Sequence, residues 1–388
     1  MTGFRGSTAV VGVGATPYYK RGTSPLTSAQ LVLQAVLAAC DDAGADPRSI
    51  DGFVSYADDS TEGLEIGAAL GVREVRWSTQ VRGGGGGAVA AAVNCAAAAV
   101  HAGQAEGVVV YRGLSEASDG RRAFNKGHLG HLYTAHGVMA PAQICALRTR
   151  RLLEVDGVPA SALEAVALAG YHHAQRNPRA VAYGRPLDTA SYRASRIISE
   201  PLRLYDCSRE NDGATAILVV SAARAADFRG NPAYILSGVQ GAAAGWTESA
   251  ENEDHYTGAG FHPALVQRLW DGAGITPAEV DVAQVYENFT GPAVAAMIDV
   301  GLCPAGPEAG EFMTVENLTV ERGRLPINTA GGNIAEGFVH GIGLVAEAAR
   351  QIRGGSPNPV AGADISLLLG GPMAPLVSAT VFGSATTV

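Results

Sequence analysis

The sequence predicts an α/β fold made of two matching halves, residues 1–230 and 231–388. Three observations carry that prediction. Strand-like apolar runs alternate with helical ones along both halves. The segment Asp42-Ala43-Gly44-Ala45-Asp46-Pro47 followed by Ile50-Asp51 returns without a gap as Gly272-Ala273-Gly274-Ile275-Thr276-Pro277 followed by Val280-Asp281. Each half also carries an apolar helix led by glycine. Self-similarity of this kind marks a repeated unit, and two such halves pack sheet to helix to sheet with paired helices between them.

In the first half, Thr8-Ala9-Val10-Val11-Gly12-Val13 reads as a buried strand closed by Gly14-Ala15-Thr16-Pro17. A helix from about Ser28 to Cys40 places Leu33, Val36, Leu37 and Cys40 at helical spacing. A second strand runs from Ile50 to Tyr56. Arg82 and five glycines, Gly83 to Gly87, then open a run of Ala and Val that reaches Gly103. Small apolar side chains all round make this helix buried rather than amphipathic. Gly107 to Tyr111 is again a strand. The second half repeats the order with a strand at Tyr234–Gly238, a helix ending at Leu269-Trp270, and a strand from Val280 to Tyr286. Gly331-Gly332 opens a helix to about Ile352, and Asp364 to Leu369 is a last buried strand. The central helix pair is therefore expected at 88–102 and 333–352, with the active site where their starts converge. Between the halves, about 112–205 breaks the alternation and reads as an inserted cap. The chain returns through Asn211-Asp212-Gly213-Ala214, a turn feeding a buried strand.

Composition narrows the function. A net charge of −9, with charged residues at 17% and no basic block, argues against a nucleic-acid partner. No strongly apolar segment of about 20 residues is fit to span a membrane, and the first residues lead into a strand with no signal-peptide pattern. Cysteines 40, 95, 145, 207 and 303 have neither metal nor disulfide spacing, which fits reduced thiols in the cytoplasm. The glycine run is neither a dinucleotide fingerprint nor a Walker loop, since no acidic residue ends a following strand and no Lys follows it. Its glycines leave backbone N–H groups of the helix start open to a carbonyl or thioester oxygen, which singles out Gly85 and Gly86. A flexible glycine loop is the competing reading.

Four motifs carry a family resemblance: Val11-Gly12-Val13-Gly14-Ala15-Thr16-Pro17, Asn211-Asp212-Gly213-Ala214, Ile275-Thr276-Pro277-Ala278-Glu279-Val280-Asp281, and Leu325-Pro326-Ile327-Asn328-Thr329-Ala330-Gly331-Gly332. Together they resemble the thiolase superfamily, in the lipid-transfer-protein-like branch related to the thiolase part of sterol carrier protein x. The resemblance covers the whole chain and implies a duplicated five-layer αβαβα fold and a tight homodimer. The departures matter more. The nucleophilic Cys of a thiolase falls near Gly86, and Cys95 lies nine residues further along, in the core. In Gly337-Phe338-Val339-His340-Gly341, Phe338 stands in place of the family's histidine. The late cysteine is missing from Leu367-Leu368-Leu369-Gly370-Gly371-Pro372. Covalent acyl transfer cannot proceed without the thiolate and its activator.

What the resemblance implies instead is carbon–carbon chemistry. Branch members lacking the cysteines include steroid side-chain aldolases, which split a 17-hydroxy steroid C22 acyl-CoA into a 17-keto steroid and propionyl-CoA. They work with a small partner that has an OB-fold and a zinc-ribbon-like element. Coenzyme A enters as part of the substrate, with no further cofactor and no metal. Two alternatives stay open: another cysteine-free acyl-CoA enzyme subunit of the superfamily, and a non-catalytic acyl-CoA or lipid-binding protein.

A retro-aldol needs a base for the hydroxyl proton, a donor for the enolate oxygen, and an acid for the carbon. Tyr286 is a candidate base if its phenol is lowered from about 10, with Glu287 and Asn288 positioning it or binding the thioester oxygen. The plain reading of all three is turn capping at a strand end. His340 can titrate near neutrality, although it lies two residues past the family's histidine, about 200 degrees round a helix. Glu336 is a carboxylate at the same corner, either catalytic or complementing the helix start. Tyr256, in an acidic loop, gates the pocket or meets the partner; Trp246 stacks on substrate or is core. Asn328 and Asp212 support turns, and Phe338 lines the pocket. Arg121, Arg122 and Lys126 either meet the CoA phosphates or form solvated surface. His128, His131 and His136 lack a fourth ligand and read as substrate or solvent contacts rather than a metal site.

Overall fold

Ten strands join edge to edge in one mixed sheet in the computed structural model, which describes residues 4–83, 85–119, 131–242, 258–321, 323–374 and 376–388. In chain order the strands are β1 (Thr8–Ala15), β2 (Tyr19–Lys20), β3 (Gly52–Tyr56), β4 (Trp77–Val81), β5 (Gly107–Leu114), β6 (Ile197–Ser199), β7 (Leu202–Arg203), β8 (Asn211–Ser221), β9 (Ala233–Gly241), β10 (Val282–Val285), β11 (Ile365–Gly370) and β12 (Val377–Gly383). The large sheet runs β10-β11-β12-β9-β1-β8-β5-β3-β4, with β2 on β8, and β6 pairs with β7 apart from it. Its two flanks repeat one scheme. On one side β3 is parallel to β5, which is antiparallel to β8, which is antiparallel to β1. On the other, β10 is parallel to β11, which is antiparallel to β12, which is antiparallel to β9. Among the described residues the strands of the two flanks pair only at the short β1–β9 contact, Ala9 opposite Tyr234 and Val10 opposite Ala233. Sequence reading missed β4 and β12.

The repeated motif has a repeated job. Helix α1 (Ser28–Ala43) ends at Gly44 with φ of 68°, and the later helix Pro263–Ala273 ends at Gly274 with φ of 65°. After a single 3-10 turn in each half, the Asp51 carboxylate accepts the N–H groups of Glu106 and Gly107, both at 2.9 Å for its closer oxygen. Asp281 accepts those of Asp364 at 2.9 Å and Ile365 at 2.8 Å. Each aspartate stands just before one strand, β3 or β10, and clamps the start of that strand's parallel neighbour, β5 or β11.

Helix α2 (Gly63–Leu70) and α1 lie on the outer face of the first flank, against β3 and against β1, β5 and β8. Helix α3 (Val89–His101) packs on β3, β5, β9 and β12, so it touches both flanks and lies between them. Its one embedded polar side chain is satisfied: Asn94 donates to the carbonyls of Val239 at 3.1 Å and Ala379 at 3.2 Å and accepts from Thr380 at 2.8 Å. Helices α4 (Pro141–Glu154) and α5 (Ser161–Ala174) belong to the segment between β5 and β8. Helix α6 (Pro263–Ala273) covers β9 and β12, α7 (Thr290–Asp299) packs on α4 and α5, and α8 (Ile342–Arg353) lies beside α3, against β8, β10 and β11. The layering is thiolase-like.

Three expectations are corrected here. The second central helix begins at Ile342, not at 333: Gly332–Ala335 makes one helical turn, and His340 (φ 48°) and Gly341 (φ 83°) then turn left-handed and break it. The first starts at Val89, after a 3-10 turn over Gly85–Ala88. β5 continues to Leu114, pairing Arg112 with Thr215, so the inserted segment starts after Leu114 rather than at 112. No helix among the described residues is long and apolar enough to cross a membrane.

Candidate active site

Tyr286 is the first residue beyond β10, where its N–H still donates to Leu369 O at 2.9 Å. Its ring enters the space between the starts of the two central helices. A Cβ placed on Gly86 would lie 2.0 Å from the Tyr286 Cζ, and one placed on Gly341 would lie 2.5 Å from its Cδ2. Only glycine fits at these two positions, one over the ring near Cζ and the other against its Cδ2–Cε2 edge. At Gly86 the floor is therefore not open to a thioester oxygen as expected: a phenol covers it, and the Gly86 N–H acts on the phenol oxygen, whereas a Cβ on Gly85 would meet nothing within 4 Å. Burial first, and the neighbouring Glu287 second, push the phenol above its ordinary value; Arg112 and the Gly86 N–H pull the other way and lose. A Tyr286 base with lowered pKa is overturned by that burial. The phenol is a neutral proton donor.

His340 lies one ring beyond. Phe338 stands between, its ring centroid 6.1 Å from that of Tyr286 and 5.5 Å from that of His340. The His340 carbonyl accepts from the Tyr56 hydroxyl at 2.8 Å, and Nη2 of the buried Arg112 lies 2.9 Å from Nδ1. A guanidinium can only donate, so Nδ1 accepts and the ring proton resides on Nε2. Burial, then the Arg112 charge, lower the imidazole to about 3, against the pull of Asp58. The expectation of a group titrating near neutrality is thus corrected: His340 is a neutral hydrogen-bond donor. Its helical offset of two residues carries no meaning either, since it precedes α8 in a left-handed turn.

The corner is assembled by polar side chains that grip backbone. Asn328, left-handed at φ 50°, accepts from Val285 N at 2.7 Å and donates to Val285 O at 3.0 Å. Asn211 does likewise for the other loop, accepting from Phe338 N at 3.2 Å while its own N–H donates to Phe338 O at 3.1 Å. Glu287 turns away from the ring onto Gly332, and its Oε1 accepts from Ile334 N at 3.3 Å. Its Oε2 and the Asn333 amide nitrogen are buried without a partner among the described residues. Asn288 caps its own turn, accepting from Phe289 N at 3.0 Å.

Burial raises the Glu287 carboxyl well above its ordinary value of 4.5, which favours its protonated form in the fold. The unfolded chain ionises it above about 4.5, and its contribution to stability is therefore full below that pH and lost as pH rises toward the folded value. Glu287→Gln is expected to gain on the wild type in melting temperature between pH 5 and pH 8. An unchanged difference across that range would show an ionised carboxylate.

Residues 242–382 match the thiolase C-terminal domain-like family model. The 17-hydroxy-3-oxo-4-pregnene-20-carboxyl-CoA lyase of Mycobacterium tuberculosis is 36% identical over 387 residues, covering 94% of this chain and 96% of that protein. The steroid side-chain-cleaving aldolase of Thermomonospora curvata is 35% identical, covering 91% and 92%. The chain belongs to this aldolase family of the thiolase superfamily. Among solved structures, one described as the Ltp2-ChsH2(DUF35) aldolase superposes with a TM-score of 0.90 at 33% identity over 98% of both chains. Human mitochondrial 3-ketoacyl-CoA thiolase, with a TM-score of 0.67 at 15% identity, shares the fold.

Other candidates in this aldolase family member take structural places. Glu336 forms a buried ion pair with Arg179, which also donates to the Tyr18 hydroxyl at 3.2 Å. Burial, then Glu336, push that phenol to about 12. The Tyr18 ring lies so close under Gly337 that an added Cβ would approach it to 2.8 Å, so the pair props the loop from below. Asp212 accepts from Ser24 N at 3.0 Å and Glu116 N at 3.1 Å, a turn support. Burial pushes the thiols of Cys207 and Cys303 to about 12 and of Cys40 to about 11, and raises Cys95, none of them a ready nucleophile. Arg121, Arg122, Lys126, His128, Trp246 and Tyr256 lie outside the described residues; His136 is exposed. Sequence reading missed Arg112, Asn211 and Asn333. For Arg112 the signal was present: one arginine in the otherwise apolar strand Gly107–Leu114.

Proposed function

We propose that the chain is a carbon–carbon lyase that cleaves a β-hydroxyacyl-CoA with a bulky acyl group, a 17-hydroxy steroid C22 acyl-CoA, to a 17-keto steroid and propionyl-CoA. The observation that carries this reading is the neutral Tyr286 phenol lying on Gly86, near which, by the family resemblance, a thiolase carries its nucleophilic thiol. Breaking the bond between the hydroxyl-bearing carbon and the α-carbon sends its electron pair into the thioester, forming an enolate. The Nε2–H of His340 donates to the enolate oxygen, as a neutral imidazole can without giving up its proton. The Tyr286 oxygen shuttles the proton: as the bond breaks, the phenol gives its proton to the α-carbon and takes the hydroxyl proton in the same concerted step, so that one proton moves from hydroxyl oxygen to carbon, the ketone forms and the phenol is restored. Glu287 and Asn328 hold the β10 end that carries Tyr286. Coenzyme A arrives with the substrate. The working unit in this reading is a cytoplasmic homodimer bound to a small OB-fold/zinc-ribbon partner, in line with the paired name of the solved aldolase.

The test is incubation of the purified protein, with and without such a partner, with a 17-hydroxy-3-oxo C22 steroid acyl-CoA. Release of 17-keto steroid and propionyl-CoA at matched rates, followed by mass, is the expected result. Tight binding with no cleavage in either preparation would point instead to a carrier.

A further inference from the structure

We infer that Arg112 is a positioning residue of the reaction: it fixes the His340 ring as the neutral Nε2–H tautomer that faces the enolate oxygen. This rests on the lyase reading for its chemistry, though not for its geometry.

Arg112 stands in β5 opposite Thr215 of β8 and is 1% exposed. Burying a guanidinium is costly unless its N–H groups find partners. Here Nη2 donates to Asp58 at 2.8 Å, while Nη1 lies 3.3 Å from Asp59 and donates to Tyr56 O at 3.2 Å. Asp59 is itself held by Thr61 N at 2.8 Å and Gly113 N at 3.1 Å. These contacts fix the cation from the β3 side and would suffice for a purely structural ion pair. The contact with Nδ1 of His340 at 2.9 Å is of another kind. It joins a permanent cation to a ring that must be unprotonated at that nitrogen.

The charges around His340 make the consequence specific. From the end of β3 come Asp58, Asp59 and the Tyr56 hydroxyl; from β5 comes Arg112; from the end of β10 comes the neutral Tyr286; Phe338 is apolar. Asp58 Oδ1 lies 3.8 Å from Nδ1. With Arg112 gone, Asp58 is the nearest charge to Nδ1 among the described residues and favours a proton there, either as the other tautomer or as imidazolium. The arginine therefore decides which nitrogen donates and keeps the ring neutral. It needs no contact with substrate to do so.

The experiment uses the full chain labelled with 15N in its histidine rings, with the His340→Gln variant identifying the His340 signals. Long-range proton–nitrogen correlations are recorded from pH 5 to 8.5. The wild type is expected to show an Nε2–H ring with a bare Nδ1 and no titration in that range. Arg112→Met is expected to bring the proton to Nδ1 or a titration midpoint within it. Its kcat for steroid acyl-CoA cleavage should fall about 100-fold with KM little changed, together with a new acidic limb in the pH profile. Arg112→Lys, which keeps a donor cation, should retain the wild-type tautomer and recover much of kcat. A wild-type ring that carries its proton on Nδ1 or titrates near 6.5 overturns the inference, as does Arg112→Met with tautomer and kcat unchanged. If Arg112→Met does not fold, the wild-type spectrum still decides, and Asp58→Asn adds a second test. Loss of the Nε2–H form in Asp58→Asn would assign the tautomer to Asp58 instead. The spectra need no substrate, so a tautomer set by Arg112 in a protein that cleaves no steroid acyl-CoA would sink the lyase reading alone.

Discussion

Replacing Tyr286 by Phe is expected to reduce carbon–carbon cleavage by about 100- to 10,000-fold, the range for loss of a positioned proton donor, while the protein still folds. In the proposed mechanism the ring packs and the hydroxyl reacts. Phe keeps the wedge between Gly86 and Gly341 and its edge-on contact with Phe338. It removes only an oxygen that burial holds in the neutral state. Acyl-CoA affinity should therefore change little, and the loss should fall on kcat. Turnover, a thermal melt and a binding titration on the same preparation separate these effects. Near-normal turnover by the variant would remove Tyr286 from the mechanism and leave the donor to be sought elsewhere.

Gly86→Ala is expected to be damaging twice over. The added methyl would lie 2.0 Å from the Tyr286 Cζ, and the ring's Cδ2–Cε2 edge is already packed so closely on Gly341 that a Cβ there would lie 2.5 Å from Cδ2. Something must move, and overpacking of this kind costs about 1–3 kcal/mol. Displacing the phenol should also cost at least about 100-fold in kcat, since small misplacements of a reacting group are that expensive. The specific check is a double-mutant cycle in urea with Tyr286→Ala. Shortening the tyrosine relieves the clash, so the two substitutions together should cost less than their sum. Simple additivity would mean that the ring does not occupy the space above Gly86.

Much of this architecture was legible in the chain because the halves repeat their chemistry as well as their pattern. Asp51 and Asp281 recur at matching positions since each must hold the N–H groups that begin a strand. The glycine run located the start of α3, and Tyr-Glu-Asn-Phe marked the end of β10. The encounter between them was not legible. Gly86 and Tyr286 are brought together by the layering of two flanks, and no local periodicity reports that. The proton states were invisible for a related reason. Whether a phenol is raised or lowered depends on what buries it, and here burial prevails over both Arg112 and a backbone N–H. His340 was misplaced because one helix was read across Gly331 to Ile352, through Gly337 and Gly341, where the chain in fact turns left-handed at His340 and Gly341. Arg112 stood in plain view in an apolar strand, but its meaning needed the ring it touches.

The ring held between Gly86 and Gly341 also constrains how this chain could have parted from its cysteine-bearing relatives. A side chain at residue 86 and an aromatic ring at residue 286 claim the same volume. By the family resemblance, which sets a thiolase's nucleophile near residue 86, a thiol restored there would compete with the phenol for one space. Glycine at 86 and the ring at 286 are therefore best exchanged together, and either change alone carries the packing cost expected for Gly86→Ala.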